Sequence, residues 1–420
     1  MKRILLLSIF CLLANLLLGQ VDYSNRYKKA IFSQNTKQFN IKYADADKYD
    51  VFGLNILEPL HLDFYEPAGD TATKRPVALA FFGGAYLIGD KLMQDMTAWC
   101  DSLASYGYAC AAVNYRLGYN TLVPASAVRA GYRALQDARA AIRFLKENHA
   151  TYKIDTNQIY VLGNSAGALT AIQTAYGQED ERPAQTYGVS GSLAEGADLG
   201  CMDCSGNNYQ HTVDVAAVLG MWGAAVSVDA LDPFDDAPII MFHGDNDVIV
   251  PIDSGDAFNT GILPSVYGSR TIHKAKQALG QHSELHVYPG QPHNFYYDVA
   301  IFPNAYWDTI WTLSHDFLCR VNPYCTSTLT AVEEAKQLKN ELNVVIYPNP
   351  AQEQVTIYIS TAAIQEEKVL KVYSIQGKEY AFLKSRQNTL NLDVKDWPAG
   401  MYFVQIQAGN NRTIQKLLIE

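Results

Sequence analysis

The 420-residue sequence predicts an α/β fold, an open and mostly parallel sheet flanked by helices, followed by a small C-terminal β-sandwich. Three observations carry that expectation. From about residue 50 to 320, short apolar runs alternate with longer segments of helical period, as when strands and helices take turns in a parallel sheet. Within the segment "VRAGYRALQDARAAIRFLKENHA", Ala134, Ala138, Ile142 and Leu145 recur at three-to-four spacing with Arg and Glu between them, one buried stripe and one solvated face. From residue 342 the period changes to two, and short alternating runs are separated by turn-forming pieces.

Taken in order, the chain opens with "MKRILLLSIFCLLANLLLGQ", in which Lys2 and Arg3 precede an apolar run that ends at Gly19-Gln20. That is the layout of a secretory signal peptide over residues 1–20, and the run is too short for a transmembrane span. A first domain is expected over 21–325. Its candidate strands are "LHLDFYEP", "VALAFFGG", "YACAAVNYR", "QIYVLG", "VAAVLGMW", "PIIMFHG" and "ELHVYPG". Its helix-like segments include "KLMQDMTAWCDSLASYG" and "YWDTIWTLSHDFLCRV". The stretch 326–341 is polar and lacks large aromatics, which reads as a linker. The second domain, 342–420, carries "VTIYIS", "VLKVYS", "LNLDV" and "MYFVQIQ" as period-two strands.

Export alters the reading of the cysteines. Cys11 leaves with the signal, and the others fall in the close pairs 100/110, 201/204 and 319/325, for which local disulfides are expected. Zinc is the rival for "CMDC", but no second Cys or His pair stands at finger spacing. The formal net charge of -10 leaves no basic footprint for nucleic acid or an anionic membrane surface. A small-molecule or polymer-linked substrate is the expected partner.

The chemistry centres on "GNSAG", residues 163–167. A serine hydroxyl attacks an acyl carbon only if a base takes its proton and donors stabilise the oxyanion. In G-x-S-x-G, small residues permit a tight strand-to-helix turn that exposes the serine, and the next N–H lies near the developing oxyanion. Here the turn joins the strand-like "IYVL" to the helix-like "ALTAIQTAY". Such an elbow requires an acid after a later strand and a histidine after a strand beyond it. Asp247 in "PIIMFHGDNDVIVP" and His293 in "ELHVYPGQPHNFY" stand at those places. Asp245 competes for the acid role, and the H-G-x-x-D spacing from His243 favours Asp247. The loop "ALAFFGGAYLIGD" occupies the position of the second oxyanion element, so donors are expected at Gly84, Ala85 and Ala166. Tyr86, Trp222 and Phe295 flank these motifs and are candidates for the substrate pocket.

Other clusters carry less. "HSELH" at 282–286 is not the metalloprotease H-E-x-x-H and reads as a solvated strand face. "DALDPFDD" lacks the spaced ligands of a calcium loop. "EGADLGCMDCSGN" at 195–207 either edges the pocket or is a surface excursion. No cofactor and no metal is expected.

Together these motifs, with "HLDFYEP" and "VNYRLG", resemble the α/β-hydrolase superfamily over about residues 50–320, and within it the carboxylesterases and lipases with an H-G-G-G or H-G-G-A loop. Feruloyl and acetyl-xylan esterase branches look similar. The resemblance implies an α/β-hydrolase sheet and ester hydrolysis by a Ser165-His293-Asp247 triad on a small-molecule or polysaccharide-linked ester. One position departs: the family's loop His is Phe82 here. The alternatives are a peptidase of the same fold, or a non-catalytic surface or adhesion protein on a hydrolase scaffold. The segment 342–420 resembles the sorting domain of type IX secretion on "YPNPA", "VYSIQGK", "LDVKDWPAGMYFVQI" and "KLLIE". That implies the type IX machinery as partner, and a secreted or outer-membrane surface-attached product.

Overall fold

A computed structural model describes residues 23–49, 55–121, 123–188, 197–228, 231, 237–259, 261, 263–296, 304–326, 343–360, 368–374, 378–408 and 411–420. The signal-peptide reading, the 326–341 linker apart from its first residue, and all of "DALDPFDD" except Leu231 lie outside these. The chain divides between residues 327 and 328 into two compact units.

The first unit is built on an eight-stranded sheet. Its strands are β1 (Asn35–Tyr49), β2 (Asn55–Pro67), β3 (Arg75–Phe81), β4 (Ala109–Val113), β5 (Ile154–Asn164), β6 (Ala217–Met221), β8 (Ile239–Gly244) and β11 (Ser283–Tyr288), in spatial order β1-β2-β4-β3-β5-β6-β8-β11. The first two pairings in that order are antiparallel and the rest parallel. The central strands read as continuous apolar runs because helices cover both faces, and every residue of β3, β4, β6 and β8 is buried. Each fully buried Val, Leu or Ile of this layer stabilises by about 1.5–3 kcal/mol. Short strands β7 (Ala224–Ala225), β9 (Ser254–Asp256) and β10 (Ser265–Gly268) form a separate three-stranded sheet. The sequence reading did not anticipate β1 or this small sheet: β1 is mostly polar and belongs to a sheet edge, and β7 is only a two-residue pairing.

The helices α1 (Gln94–Ser105), α2 (Pro124–Glu147), α3 (Ala166–Tyr176) and α4 (Ser269–Ala278) connect these strands, and α5 (Ala305–Val321) follows β11. The α2 helix departs from the expectation of a solvated face. Arg129, Arg133, Gln136, Asp137, Arg143 and Lys146 are all buried. The cause is tertiary: segment 199–207 lies along that face and takes its hydrogen bonds, while Asp137 pairs with the equally buried Arg116 at 2.7 Å.

Two of the three expected disulfides are present, Cys201–Cys204 and Cys319–Cys325. The third expectation is corrected. Cys100 on α1 and Cys110 on β4 are buried thiols with their sulfurs 2.7 Å apart, and burial, then the neighbouring Cys110, pushes the Cys100 thiol well above its usual range.

The second unit has two antiparallel sheets. One orders β12 (Asn343–Tyr347), β13 (Gln354–Ser360) and β16 (Thr389–Asp393). The other orders β15 (Glu379–Ser385), β14 (Lys368–Ser374), β17 (Gly400–Ala408) and β18 (Asn411–Ile419) as β15-β14-β17-β18. Val355, Ile357 and Ile359 of one sheet share a core with Leu370, Val372, Val404 and Ile406 of the other, the in-facing half of each period-two run.

Candidate active site

Register brings the ends of the central strands level. Phe81 pairs with Gly163, Asn164 with Met221, Met221 with Phe242, and Gly244 with Tyr288. The loops that follow these residues therefore meet at one edge of the sheet, where open α/β sheets place their ligands.

Ser165 occupies the turn from β5 into α3 with φ 51° and ψ -123°, a conformation unfavourable to a side chain. The flanking glycines are required by close approach. A Cβ on Gly163 would lie 2.4 Å from the Gly167 carbonyl, and one on Gly167 would lie 2.0 Å from the Phe81 oxygen. The Ser165 N–H donates to Met221 O at 2.9 Å, which pins the turn to the next strand.

His293 Nε2 lies 2.9 Å from Ser165 Oγ, and its Nδ1 lies 2.7 Å from Asp247 Oδ2. Asp247 Oδ1 accepts from the N–H groups of Ile249 and Val250 at 2.8 and 2.9 Å. His243 Nε2 faces Asp247 Oδ2 at 3.2 Å and Val250 O at 2.9 Å, with its Nδ1 2.8 Å from Ser269 Oγ. Burial pushes the Asp247 carboxyl up, but the hydrogen bonds from His243, His293 and the Val250 N–H outweigh it and hold the group well below the usual carboxylate range. Asp247 is thus an anion suited to accept from the His293 Nδ1–H, leaving Nε2 to accept from the serine. Asp245, the competing acid, instead accepts from the Gly290 N–H. With Asn246 N–H donating to Gln291 O, it laces the two loops together.

The oxyanion-loop residues lie beside the elbow. A Cβ on Gly83 would stand 3.2 Å from the Ser165 Cβ. Gly84, Ala85 and Tyr86 follow with φ of 117°, 55° and 60°, the last two in the left-handed region that costs an L-residue about 1–2 kcal/mol each. Ala166 is the first residue of α3, so its N–H has no acceptor within the helix. Tyr86 joins the two elements: its hydroxyl donates to Ala166 O at 3.1 Å and lies 3.4 Å from Thr170 Oγ1. Burial, partly offset by the Thr170 hydrogen bond, pushes that phenol up to about 12. Phe82 stacks on Tyr115 with centroids 4.3 Å apart, and the Tyr115 hydroxyl donates to Phe82 O at 2.6 Å. Ring stacking and the Tyr115 hydrogen bond together brace this loop.

A cavity of about 390 Å³ opens beside Ser165, with Ala85, Tyr86 and Ala166 in its lining. Of the three expected pocket residues only Tyr86 lines it. Trp222 is fully buried and packs on Phe295 and Tyr296, its ring centroid 6.0 Å from that of His293. Trp222 follows the inner strand β6 directly, and Phe295 stands two residues past the histidine. Both therefore point into the core that supports His293 rather than into the cavity.

Several residues escaped the sequence reading. Asp95 on α1 is fully buried and accepts from Asn164 Nδ2 at 2.6 Å, directly behind the serine. Burial, opposed by its hydrogen bonds, pushes its carboxyl up to about 6. His243, near the end of β8, supports Asp247 in the loop that follows, and the i, i+4 spacing of H-G-x-x-D is the signal that could have found it. Met202, from the "CMDC" motif, lines the cavity, in keeping with the pocket-edge alternative offered for 195–207. In "HSELH", Glu284 pairs with His282 and Arg320 at the surface, and His286 stacks on Phe242. Among the described residues, no group of three or more His, Cys, Asp and Glu side chains could hold a metal ion, and no helix is long and apolar enough to cross a membrane.

Residues 62–231 match the family model described as BD-FAE, and residues 345–420 match the Secretion system C-terminal sorting domain. The first unit has the α/β-hydrolase fold with esterases among its relatives. The C-terminal sorting domain marks the chain for type IX secretion to the exterior or the cell surface. Carboxylesterase 3B of Mus musculus is 34% identical over 136 residues, 32% of this chain and 23% of that protein. Isoprenylcysteine alpha-carbonyl methylesterase ICME of Arabidopsis thaliana is 25% identical over 319 residues, 70% of this chain and 63% of that protein. The match spans less than a quarter of the length of the first three curated relatives. Among solved structures, Thermogutta terrifontis esterase 2 phosphorylated by paraoxon is similar at 20% identity and a TM-score of 0.46, covering 68% of this chain and 94% of that one.

Proposed function

We propose that the chain is an exported serine carboxylesterase that works through an acyl-enzyme on Ser165. His293 Nε2 takes the proton from Ser165 Oγ as that oxygen attacks the ester carbonyl, and Asp247 steadies the imidazolium through Nδ1. The developing oxyanion sits against the N–H groups of Gly84, Ala85 and Ala166, whose positions the strained loop and the helix start prepare in advance. His293 then gives its proton to the departing alcohol oxygen as the tetrahedral intermediate collapses. In the second half it takes a proton from water, which attacks the acyl-serine carbonyl and releases the acid, with the proton returned to Ser165. No step calls for a metal or cofactor. The substrate is a small-molecule or polysaccharide-linked carboxylic ester, met outside the cell.

The observation that carries this reading is the continuous Ser165–His293–Asp247 hydrogen-bond chain at the mouth of a cavity. The esterase relatives support the reaction class. Hydrolysis of p-nitrophenyl acetate by the full chain tests it. Turnover in the wild type, with a loss of about 10⁴-fold or more in Ser165→Ala, is expected; equal rates in both would refute the serine mechanism.

A further inference from the structure

The cavity beside Ser165 has two apolar walls of different origin. One comes from the small sheet and its neighbours: Val226, Ile249, Val250 and Val266. The other is a small cluster of its own, Tyr132 and Leu135 on α2 with Met202 from the Cys201–Cys204 loop. Ile249 and Val250 are tied by their N–H groups to Asp247, so the first wall belongs to the His293 side of the site. His293 must protonate the alcohol oxygen, so the alcohol arm of an ester leaves on that side. The acyl arm is left the remainder of the cavity, whose lining includes the Tyr132–Leu135–Met202 cluster.

Met202 is held there with unusual thoroughness for a surface-loop residue. It is almost fully buried, and its N–H donates to the Glu179 carboxylate at 2.7 Å. The disulfide closes the loop on either side of it. Asp203, next in sequence, pairs with Arg139 at 2.7 Å and Arg143 at 2.6 Å. Gln136 donates to the oxygens of Leu199 and Cys201 at 2.7 and 2.9 Å, and the Tyr132 hydroxyl donates to Gly200 O at 2.9 Å. Residues 132, 136, 139 and 143 follow the i, i+4, i+7 repeat of one helix face, so a single stripe of α2 grips the loop along its length. A methionine alone is a soft wall, adaptable by its three rotatable bonds. Here the loop that presents it is held by the disulfide and by the pairs of Asp203 with Arg139 and Arg143, which fixes where the side chain starts.

We propose that Met202, presented by the Cys201–Cys204 loop, is the specificity-determining residue that ends the acyl side of the pocket, so that the enzyme takes esters of short to medium apolar acids and excludes longer chains. This rests on the esterase reading above. Truncating a wall residue admits extra methylenes, each worth about 1–3 kcal/mol in a hydrophobic pocket, or tenfold and more in kcat/KM. Enlarging it removes them.

The test is kcat/KM of the full chain on p-nitrophenyl acetate, butanoate, octanoate and dodecanoate, for wild type, Met202→Ala and Met202→Trp. Met202→Ala is expected to raise the octanoate-to-acetate ratio about tenfold and Met202→Trp to lower it by a similar factor, with acetate itself within about twofold in both. Two substitutions of opposite size keep the test decisive should one of them fold poorly. An acyl profile that is the same in every folded variant overturns the Met202 assignment and leaves the esterase reading standing. Absence of acetate hydrolysis in the wild type overturns both.

Discussion

Ser165, Asp247 and His293 each sit shortly past the end of a parallel strand, and the residues that steady them are close neighbours in chain or register. Met202, Tyr132 and Leu135, which line the same cavity, come from a helix face and a disulfide loop far apart in sequence and joined by ion pairs and side-chain-to-carbonyl bonds. The reactive centre is therefore held by the sheet, and the wall by contacts that can change while the sheet stays intact. In the reading proposed above, chemistry and specificity therefore rest on different supports.

After Ser165→Ala, the largest effect expected at the reactive centre is from Asp247→Asn. Loss of the anion that fixes the His293 tautomer should lower kcat/KM on p-nitrophenyl acetate by about 10³–10⁴-fold while leaving the acyl-length profile unaltered. A changed profile with little loss of rate would break the separation.

Tyr86 belongs to both regions, since it lines the cavity and ties the oxyanion loop to Ala166. Tyr86→Phe removes one hydrogen bond and keeps the ring. A drop of about tenfold in kcat with KM unchanged is expected, the size of one buried hydrogen bond. A rise in KM alone would assign the residue to the wall.

The smallest effect concerns the support behind the serine. Burial raises Asp95 from 3.8 to about 6, so the folded state binds its proton more tightly than the unfolded state does. That contribution to stability is fully present below about pH 4 and is lost as pH rises through 6. Asp95→Asn keeps an acceptor for the Asn164 amide without the charge. The variant should be more stable than the wild type by roughly 1–3 kcal/mol at pH 8, with the advantage shrinking at pH 5. Urea midpoints at the two pH values measure it, and an equal gap at both would reject burial of the charge as its source.

The local chemistry of the elbow was legible in "GNSAG" because its constraint is local: two glycines must admit carbonyls within 2.0–2.4 Å of where a Cβ would stand. The positions of Asp247 and His293 were legible because parallel strands deliver their following loops to one edge. The polar residues of α2 misled, since Arg139 and Arg143 between alanines look the same whether they meet water or Asp203. Trp222 and Phe295 misled likewise, because adjacency to a motif does not say which way a ring points.

By itself the sequence determined the alternation of strand and helix, the period-two C-terminal unit with its sorting motifs, and the order of serine, acid and histidine. These depend on periodicity and on turn geometry within a few residues. Only the tertiary structure decided that the disulfide loop covers α2, that Met202 lines the cavity and that Asp95 stands behind the serine. Each is a meeting of segments tens of residues apart, settled by packing and by the need of every buried charge for a partner.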